Sequence, residues 1–229
     1  MAEPTAVLFD LDDTLYPERR FALSGYAAIA AHVASETGIP SGVLFRFLAR
    51  RFRVHGRDGL LQALCAAYAL PPAEIPRLVE VMRTHPPRLR LPRLATEVLR
   101  TLRAQGHRLA VLTNGLPSVQ RAKVAALDVA PLLDAVVFAQ EHAPDGKPAR
   151  VCFATALGRL DVAASRAVFV GDHPDKDISG AAAAGLRPIW MAGRRSGPVP
   201  VAAAAVAATL AEVPGLVARL LEECHVSPC

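Results

Sequence analysis

The stretch Ala6-Val7-Leu8-Phe9-Asp10-Leu11-Asp12-Asp13-Thr14 passes from four apolar residues straight into three carboxylates. A short apolar run without polar alternation reads as a strand buried on both faces, the kind found in parallel sheets covered by helices. Four more such runs follow at 109–112, 135–138, 167–170 and 188–191. Amphipathic stretches lie between them. Residues 94–105 carry Leu94, Val98, Leu99 and Leu102 at helical spacing and stop before Gly106, and 175–184 stops before Gly185, as helices commonly do. Strand alternating with helix predicts an α/β fold: a doubly wound parallel sheet with helices on both faces.

One region breaks the rhythm. Between Pro17 and Pro92 only helical periodicity is found, with candidate helices at 21–36, 43–52, 58–68 and 73–83 punctuated by Gly38, Pro40, Gly56 and Pro71-Pro72. The expectation is a smaller all-helical domain, residues 17–89, inserted into a core made of 1–16 and 90–229, with hinges near 15–17 and 85–92. The alanine-rich segment 202–208 reads as a helix or a loop, and 210–223 as a closing amphipathic helix.

The chain has 229 residues, 52% hydrophobic, 21% charged and 5% aromatic, a composition that excludes a disordered, collagenous or disulfide-scaffold protein. A net charge of +5 suits an anionic partner, yet the sparse aromatics give no reason to expect nucleic acid. Cys65, Cys152, Cys224 and Cys229 show no C-x-x-C spacing, and no basic segment precedes the first apolar run, so a reducing cytoplasm is expected. The longest apolar run, 199–210, is shorter than the ~20 residues that span a bilayer, so no membrane is expected as a partner.

In open parallel sheets, ligands bind beyond the carboxyl ends of the strands. The residues there are Asp10, Asp12, Asp13 and Thr14 after the first run, Thr113-Asn114-Gly115 after the second, and Gly171-Asp172 after the fourth, with Asp177 just beyond. If strand geometry continued through Asp10 and Asp12, both side chains would face one side. A cluster of Asp10, Asp12 and Asp172 would then need a cation, and hard oxygen ligands favour Mg²⁺. Thr113 offers a hydroxyl, and the Asn114-Gly115 turn offers amides for an anion. Lys147 is conspicuous because the chain has only three lysines, Lys123, Lys147 and Lys176, among 26 basic residues; it reads as a point charge kept for a carboxylate and a phosphate. Lys123, by contrast, reads as a solvated surface residue.

These residues resemble the haloacid dehalogenase superfamily of hydrolases. Residues 6–14 match its first motif, hhhhDxDxT; Thr113 matches the second, Lys147-Pro148 the third, and Gly171-Asp172 with Asp177 the fourth. Ala149 departs from the Asp common after Lys-Pro in relatives, and His173 from a common small polar residue; His173 is expected to have a structural role in its loop. The helical insert lies where one subfamily carries a cap between the first and second motifs.

The resemblance implies phosphoryl transfer through an aspartyl-phosphate on Asp10, with Asp12 as acid and base. It implies Mg²⁺ held by Asp10, the Asp12 main-chain carbonyl and Asp172, with Asp177 in a supporting position, and Thr113, Asn114 and Lys147 holding the transferring oxygens. The partner implied is a small phosphorylated metabolite. Asp12 argues against carbon–halogen chemistry, because the dehalogenases of the superfamily lack that second acid. A phosphomutase of the same superfamily, or a receiver-like phosphoacceptor domain without turnover, stays open. Within the insert, Arg46, Arg50, Arg53 and Arg57 recur at helical spacing with Arg51 nearby, and read as a solvated face opposite Leu44, Phe47, Leu48 and Phe52 or as a contact for a second anionic group.

Overall fold

The computed structural model describes residues 3–193 and 197–222; Cys224 and Cys229 and the end of the predicted closing helix lie outside them. In chain order the regular elements are β1 (Ala6–Phe9), α1 (Arg19–Thr37), α2 (Ser41–His55), α3 (Leu60–Ala67), α4 (Ile75–Thr84), α5 (Arg93–Ala104), β2 (Arg108–Thr113), α6 (Pro117–Leu127), β3 (Ala135–Phe138), α7 (Arg150–Leu160), β4 (Ala167–Gly171), α8 (Gly180–Ala183), β5 (Arg187–Met191), β6 (Ala205–Ala207) and α9 (Val213–Glu222). The described chain divides into two compact units, Met1–Pro17 with Arg90–Cys229, and Glu18–Leu89.

In the first unit six strands form one sheet in the order β3-β2-β1-β4-β5-β6, every neighbouring pair parallel. Alternation along the strands sorts the residues between the two faces. Ala6, Leu8, Ala110, Leu112 and Phe169 join Cys152, Phe153, Ala156 and Leu160 of α7 in one core cluster, while α5 and α9 pack against β2, β4 and β5. Val7, Phe9, Leu109, Val111, Val168 and Val170, the alternate residues, are fully buried as well. Burial on both faces explains why these strands are unbroken apolar runs. The chain winds from β1 to β2 and β3 on one side, then crosses back to β4 and β5 on the other, and at the switch point between β1 and β4 the strand ends leave a crevice.

Two expectations are corrected. The alanine-rich segment is neither helix nor free loop: Ala205–Ala207 is a sixth strand paired with β5, its ladder hydrogen bonds supplying what its side chains lack in strand preference. The single helix expected over 175–184 begins instead as a wide π-type turn, Pro174–Ser179, ahead of the short α8. Its defining bond runs from Ile178 N–H to His173 C=O, 3.2 Å, and such turns recur where a helix must place a particular side chain.

The second unit is all helix. Leu44 and Leu48 of α2 meet Ala22, Tyr26, Ile29 and Val33 of α1, Leu60 and Leu64 of α3 and Leu78 of α4 in an apolar core. Gly25 lets α1 and α4 approach closely, since a Cβ there would meet Met82 Sδ at 2.1 Å. Arg46, Arg50 and Arg53 point away from that core and, with Val43, Phe47 and Tyr68, line a hollow of about 580 Å³. No helix among the described residues is long and apolar enough to cross a membrane.

Candidate active site

Asp10 follows β1 directly, and its N–H still donates to Val170 C=O at 2.9 Å, so the β1–β4 ladder sets its position. Beyond it the chain turns sharply. Asp13 takes a left-handed φ of 57° and its N–H donates to Tyr16 C=O at 2.8 Å, folding Tyr16 back beside Asp12. Asp172 follows β4, and Trp190 of β5 donates its indole N–H to the Asp172 carbonyl at 3.1 Å. The π-type turn brings Asp177 against the end of β4, where a Cβ on Gly171 would lie 2.5 Å from Asp177 Oδ2. Glycine at 171 is therefore a condition for seating that carboxylate. His173 caps this turn, its Nδ1 accepting from the N–H groups of Asp175 and Lys176, which is the structural role expected of it.

Lys147 joins the cluster from the loop before α7. Its Nζ lies 2.6 Å from Asp10 Oδ1 and 2.7 Å from Asp177 Oδ1, and 5.2 Å from the centre of the Phe169 ring. Asp10, Asp172 and Asp177 offer oxygens within 4.8 Å of one another, all buried. Burial pushes the Asp10 carboxyl up to about 8, with Asp177 and Asp12 adding to the rise and Lys147 opposing it. Burial alone would lower Lys147, but Asp10 and Asp177 outweigh it and hold its ammonium above the usual range. A proton on Asp10 and a strengthened ammonium pull against each other. With two carboxylates in hydrogen-bond contact, Lys147 is held in its charged form, and the rise at Asp10 comes first from its burial and then from the carboxylates of Asp177 and Asp12. Oxygen donors short of positive charge fit a hard divalent cation.

Asp12 is not where strand geometry would put it. Its carboxylate stands outside the Asp10–Asp172–Asp177 group and is drawn the other way, toward α6: Lys123 Nζ lies 2.8 Å from Oδ2 and 3.0 Å from Oδ1. Gln120 Nε2 donates to Oδ2 at 2.9 Å and the Tyr16 hydroxyl to Oδ1 at 2.6 Å. Lys123 is thus no surface residue; its side chain is only 6% exposed. Gln120 also donates to Thr113 Oγ1 and to Asn114 C=O, each at 2.6 Å, tying the end of β2 to the same network. Sequence reading missed Lys123, Gln120 and Tyr16, although the rarity of lysine was a signal that applied to Lys123 as well as to Lys147.

The Asn114-Gly115 turn is partly committed. Asn114 Nδ2 donates to Lys147 C=O at 3.0 Å and Asn114 Oδ1 accepts from Lys147 N–H at 2.9 Å, so this carboxamide braces the lysine's own loop. Gly115 N–H donates to Gln140 Oε1 at 2.6 Å, which occupies one of the amides expected to meet an anion.

Two other features are not this site. A hollow of about 1000 Å³ is lined by His173, Trp190, Pro198, Val199 and Pro200 but by none of Asp10, Asp12, Asp177 or Lys147. In the helical unit, His32, Glu36 and Glu74 bring donor atoms together, yet Arg77 already occupies the space, donating to His32 Nε2 at 3.1 Å and lying 3.4 Å from Glu36.

A buried triad of carboxylates, two of them bridged by one lysine, at the switch point of a parallel sheet, defines a class of hydrolase that the family comparison supplies. Residues 4–185 match the haloacid dehalogenase-like hydrolase model, and the chain belongs to that family. It is 34% identical over 213 residues to the ribulose-1,5-bisphosphate 5-phosphatase of Halopiger xanaduensis, covering 81% of this chain and 83% of the relative. It is 32% identical over 189 residues to the glyceraldehyde 3-phosphate phosphatase of Methanopyrus kandleri, covering 79% and 81%. Among solved structures, a HAD-hydrolase, YfnB from Bacillus subtilis, crystallised with magnesium, superposes with a TM-score of 0.66 at 20% identity, over 94% of this chain and 99% of that one.

Proposed function

We propose that this chain is a Mg²⁺-dependent phosphatase of small phosphorylated metabolites, acting through an aspartyl-phosphate on Asp10. The observation that carries the reading is the Lys147 ammonium held between Asp10 and Asp177 in the buried carboxylate cluster. The nucleophile is fixed at the end of β1, with a cation beside it to offset the repulsion between carboxylate and phosphate. Asp10 and Asp172, with the Asp12 main-chain carbonyl, would hold the metal, which would neutralise phosphate charge when bound. Asp177 is occupied otherwise: its Oδ1 accepts from Lys147 and its Oδ2 from His173 N–H, a supporting position.

The chemistry then needs two displacements. Asp10 Oδ forms a bond to phosphorus as the ester P–O bond breaks, and the departing alkoxide takes a proton from Asp12. Water next attacks phosphorus, gives a proton to Asp12, and the bond to Asp10 breaks, releasing inorganic phosphate. The Thr113 hydroxyl and the Asn114 main chain stand at the end of β2 to meet the transferring oxygens, with Lys147. The helical insert, leaving the core after Pro17 and returning at Arg90, serves as the cap that selects substrate. Relatives named for sugar phosphates make that class the first to test. The free thiols of Cys65 and Cys152 suit a cytoplasmic enzyme.

The test is phosphate release from a panel of sugar phosphates, nucleotides and phosphoserine, with Mg²⁺ and with chelator. Chelator-sensitive release from a subset is expected. Silence across the panel, or release unaffected by chelator, would overturn the reading.

A further inference from the structure

Asp12 has two neighbourhoods available to it. On one side stand Asp10, Asp172 and Asp177 with Lys147, a cluster short of positive charge that would attract another carboxylate once a divalent cation occupied it; on the other stands Lys123, on the buried face of α6. A carboxylate captured by the first would become one more ligand oxygen and would be lost to proton transfer. The structure shows it bound to the second, gripped at both oxygens by the ammonium at 2.8 and 3.0 Å. Tyr16 and Gln120 add one hydrogen bond to each oxygen.

We infer that Lys123 is a positioning residue for the reaction: it draws Asp12 out of the carboxylate cluster and fixes its orientation for proton transfer, with Tyr16 and Gln120 completing the grip. The inference rests on the phosphatase reading and deepens it. The placement of Lys123 supports it. Gln120 and Lys123 lie three residues apart, on one face of α6, and both are buried, whereas Arg121 between them faces outward to pair with Glu141. The buried ammonium is paired with Asp12, which offsets the cost of its burial, and Asp12 is the carboxylate whose orientation the proton transfers depend on. Proton-transfer catalysis demands geometry of about 3 Å and correct aim before anything else.

An ordinary structural ion pair, merely anchoring α6 to the loop after β1, makes different predictions. Proton delivery matters when the leaving group is a poor one, such as a sugar alkoxide, and hardly matters when nitrophenolate departs. The experiment compares wild type, Lys123→Met, Tyr16→Phe, Asp12→Asn and the Asp12→Asn/Lys123→Met double variant. First-turnover rates are measured on a sugar phosphate and on p-nitrophenyl phosphate, with thermal melting as the check on folding. Lys123→Met is expected to lower the first-turnover rate on the sugar phosphate ~100-fold with KM little changed, and to slow the nitrophenolate burst only a few-fold. Tyr16→Phe, the milder change, should show the same selectivity at roughly a tenth of the effect. In the Asp12→Asn background Lys123→Met should cost nothing further, because there is no carboxylate left to position.

Equal losses on both esters, or losses that multiply with Asp12→Asn, would reduce Lys123 to a structural anchor and overturn the inference. If Lys123→Met fails to fold, Tyr16→Phe decides alone: leaving-group selectivity supports the positioning role, and its lack overturns it. A folded wild type inactive on both esters would instead overturn the phosphatase reading itself, and this inference with it.

Discussion

The two units of this chain bury different things. The helical unit Glu18–Leu89 closes around Tyr26, Ile29, Leu44, Leu48, Leu64 and Leu78, with His85 its one buried polar side chain among the described residues, and its arginines at 46, 50 and 53 stay outside. The α/β unit buries Asp10, Asp172, Asp177, Lys123, Lys147, Gln120 and Thr113 among its apolar strands. The first arrangement is what folding alone favours, since a buried charge opposes stability unless it is paired and hydrogen-bonded. The second gives up stability locally, and every group that does so lies at one end of the sheet. The difference separates a unit built on apolar packing from one that gathers buried charge at the ends of its strands.

The sharpest way to break that comparison is Asp10→Asn. Phosphate release should fall by ~10⁴-fold or more while the thermal midpoint in chelator stays the same or rises, because one buried charge has gone; residual turnover near wild type in a folded variant would remove Asp10 from the chemistry. Lys147→Met should lose both properties together, with activity down by about 10²–10³-fold and stability down by about 3–5 kcal/mol in urea melts, since two carboxylates are left without their ammonium. Lys147→Arg should also be damaging, because a planar fork cannot stand in for a point charge between Asp10 and Asp177.

In the helical unit the same measurements should separate. Leu48→Ala is expected to cost about 2–5 kcal/mol through the cavity it leaves, whereas Arg50→Ala and Arg53→Ala on the same helix should stay within about 0.5 kcal/mol. A changed substrate preference in the arginine variants, read across the sugar-phosphate panel, would give that exposed face a part in recognition. The smallest effect belongs to the far end of the sheet, where His107 pairs with Thr5 Oγ1 at 2.7 Å ahead of β2 and β1. Burial holds its pKa below the ordinary value of 6.5, so the unfolded chain takes up the proton first. Stability from this site is full above about pH 6.5 and declines as the pH falls below it. Melting between pH 7 and 5 should show a shallower decline in His107→Gln than in wild type, with turnover at pH 7 unchanged.

Much of the site was legible because its parts are local in sequence: a strand, then its terminal carboxylates, then the same again at Gly171-Asp172. The apolar runs located five strands to within a residue at each end. What escaped was the far side of Asp12. Lys123 lies 111 residues away from it, in the middle of a helix, where attention to strand ends does not reach, and only the fold brings its buried face to the loop after β1. Residues Ala205–Ala207 escaped for a different reason, because alanine and a single valine carry no strand signature and their pairing with β5 is what makes them a strand. The place of Asn114 at the end of β2 was legible, but its hydrogen bonds were not: the brace on Lys147 depends on which way a carboxamide turns, and spacing does not record that.

The order of the strands has one more consequence. The sheet ends in β3, four residues long, on one side and in β6, three residues long, on the other. Open sheet borders invite pairing with a neighbouring molecule in proportion to their length. With both margins this short, the longer strands β2, β4 and β5 all lie in the interior of the sheet, and little open ladder is left for a neighbouring molecule to extend.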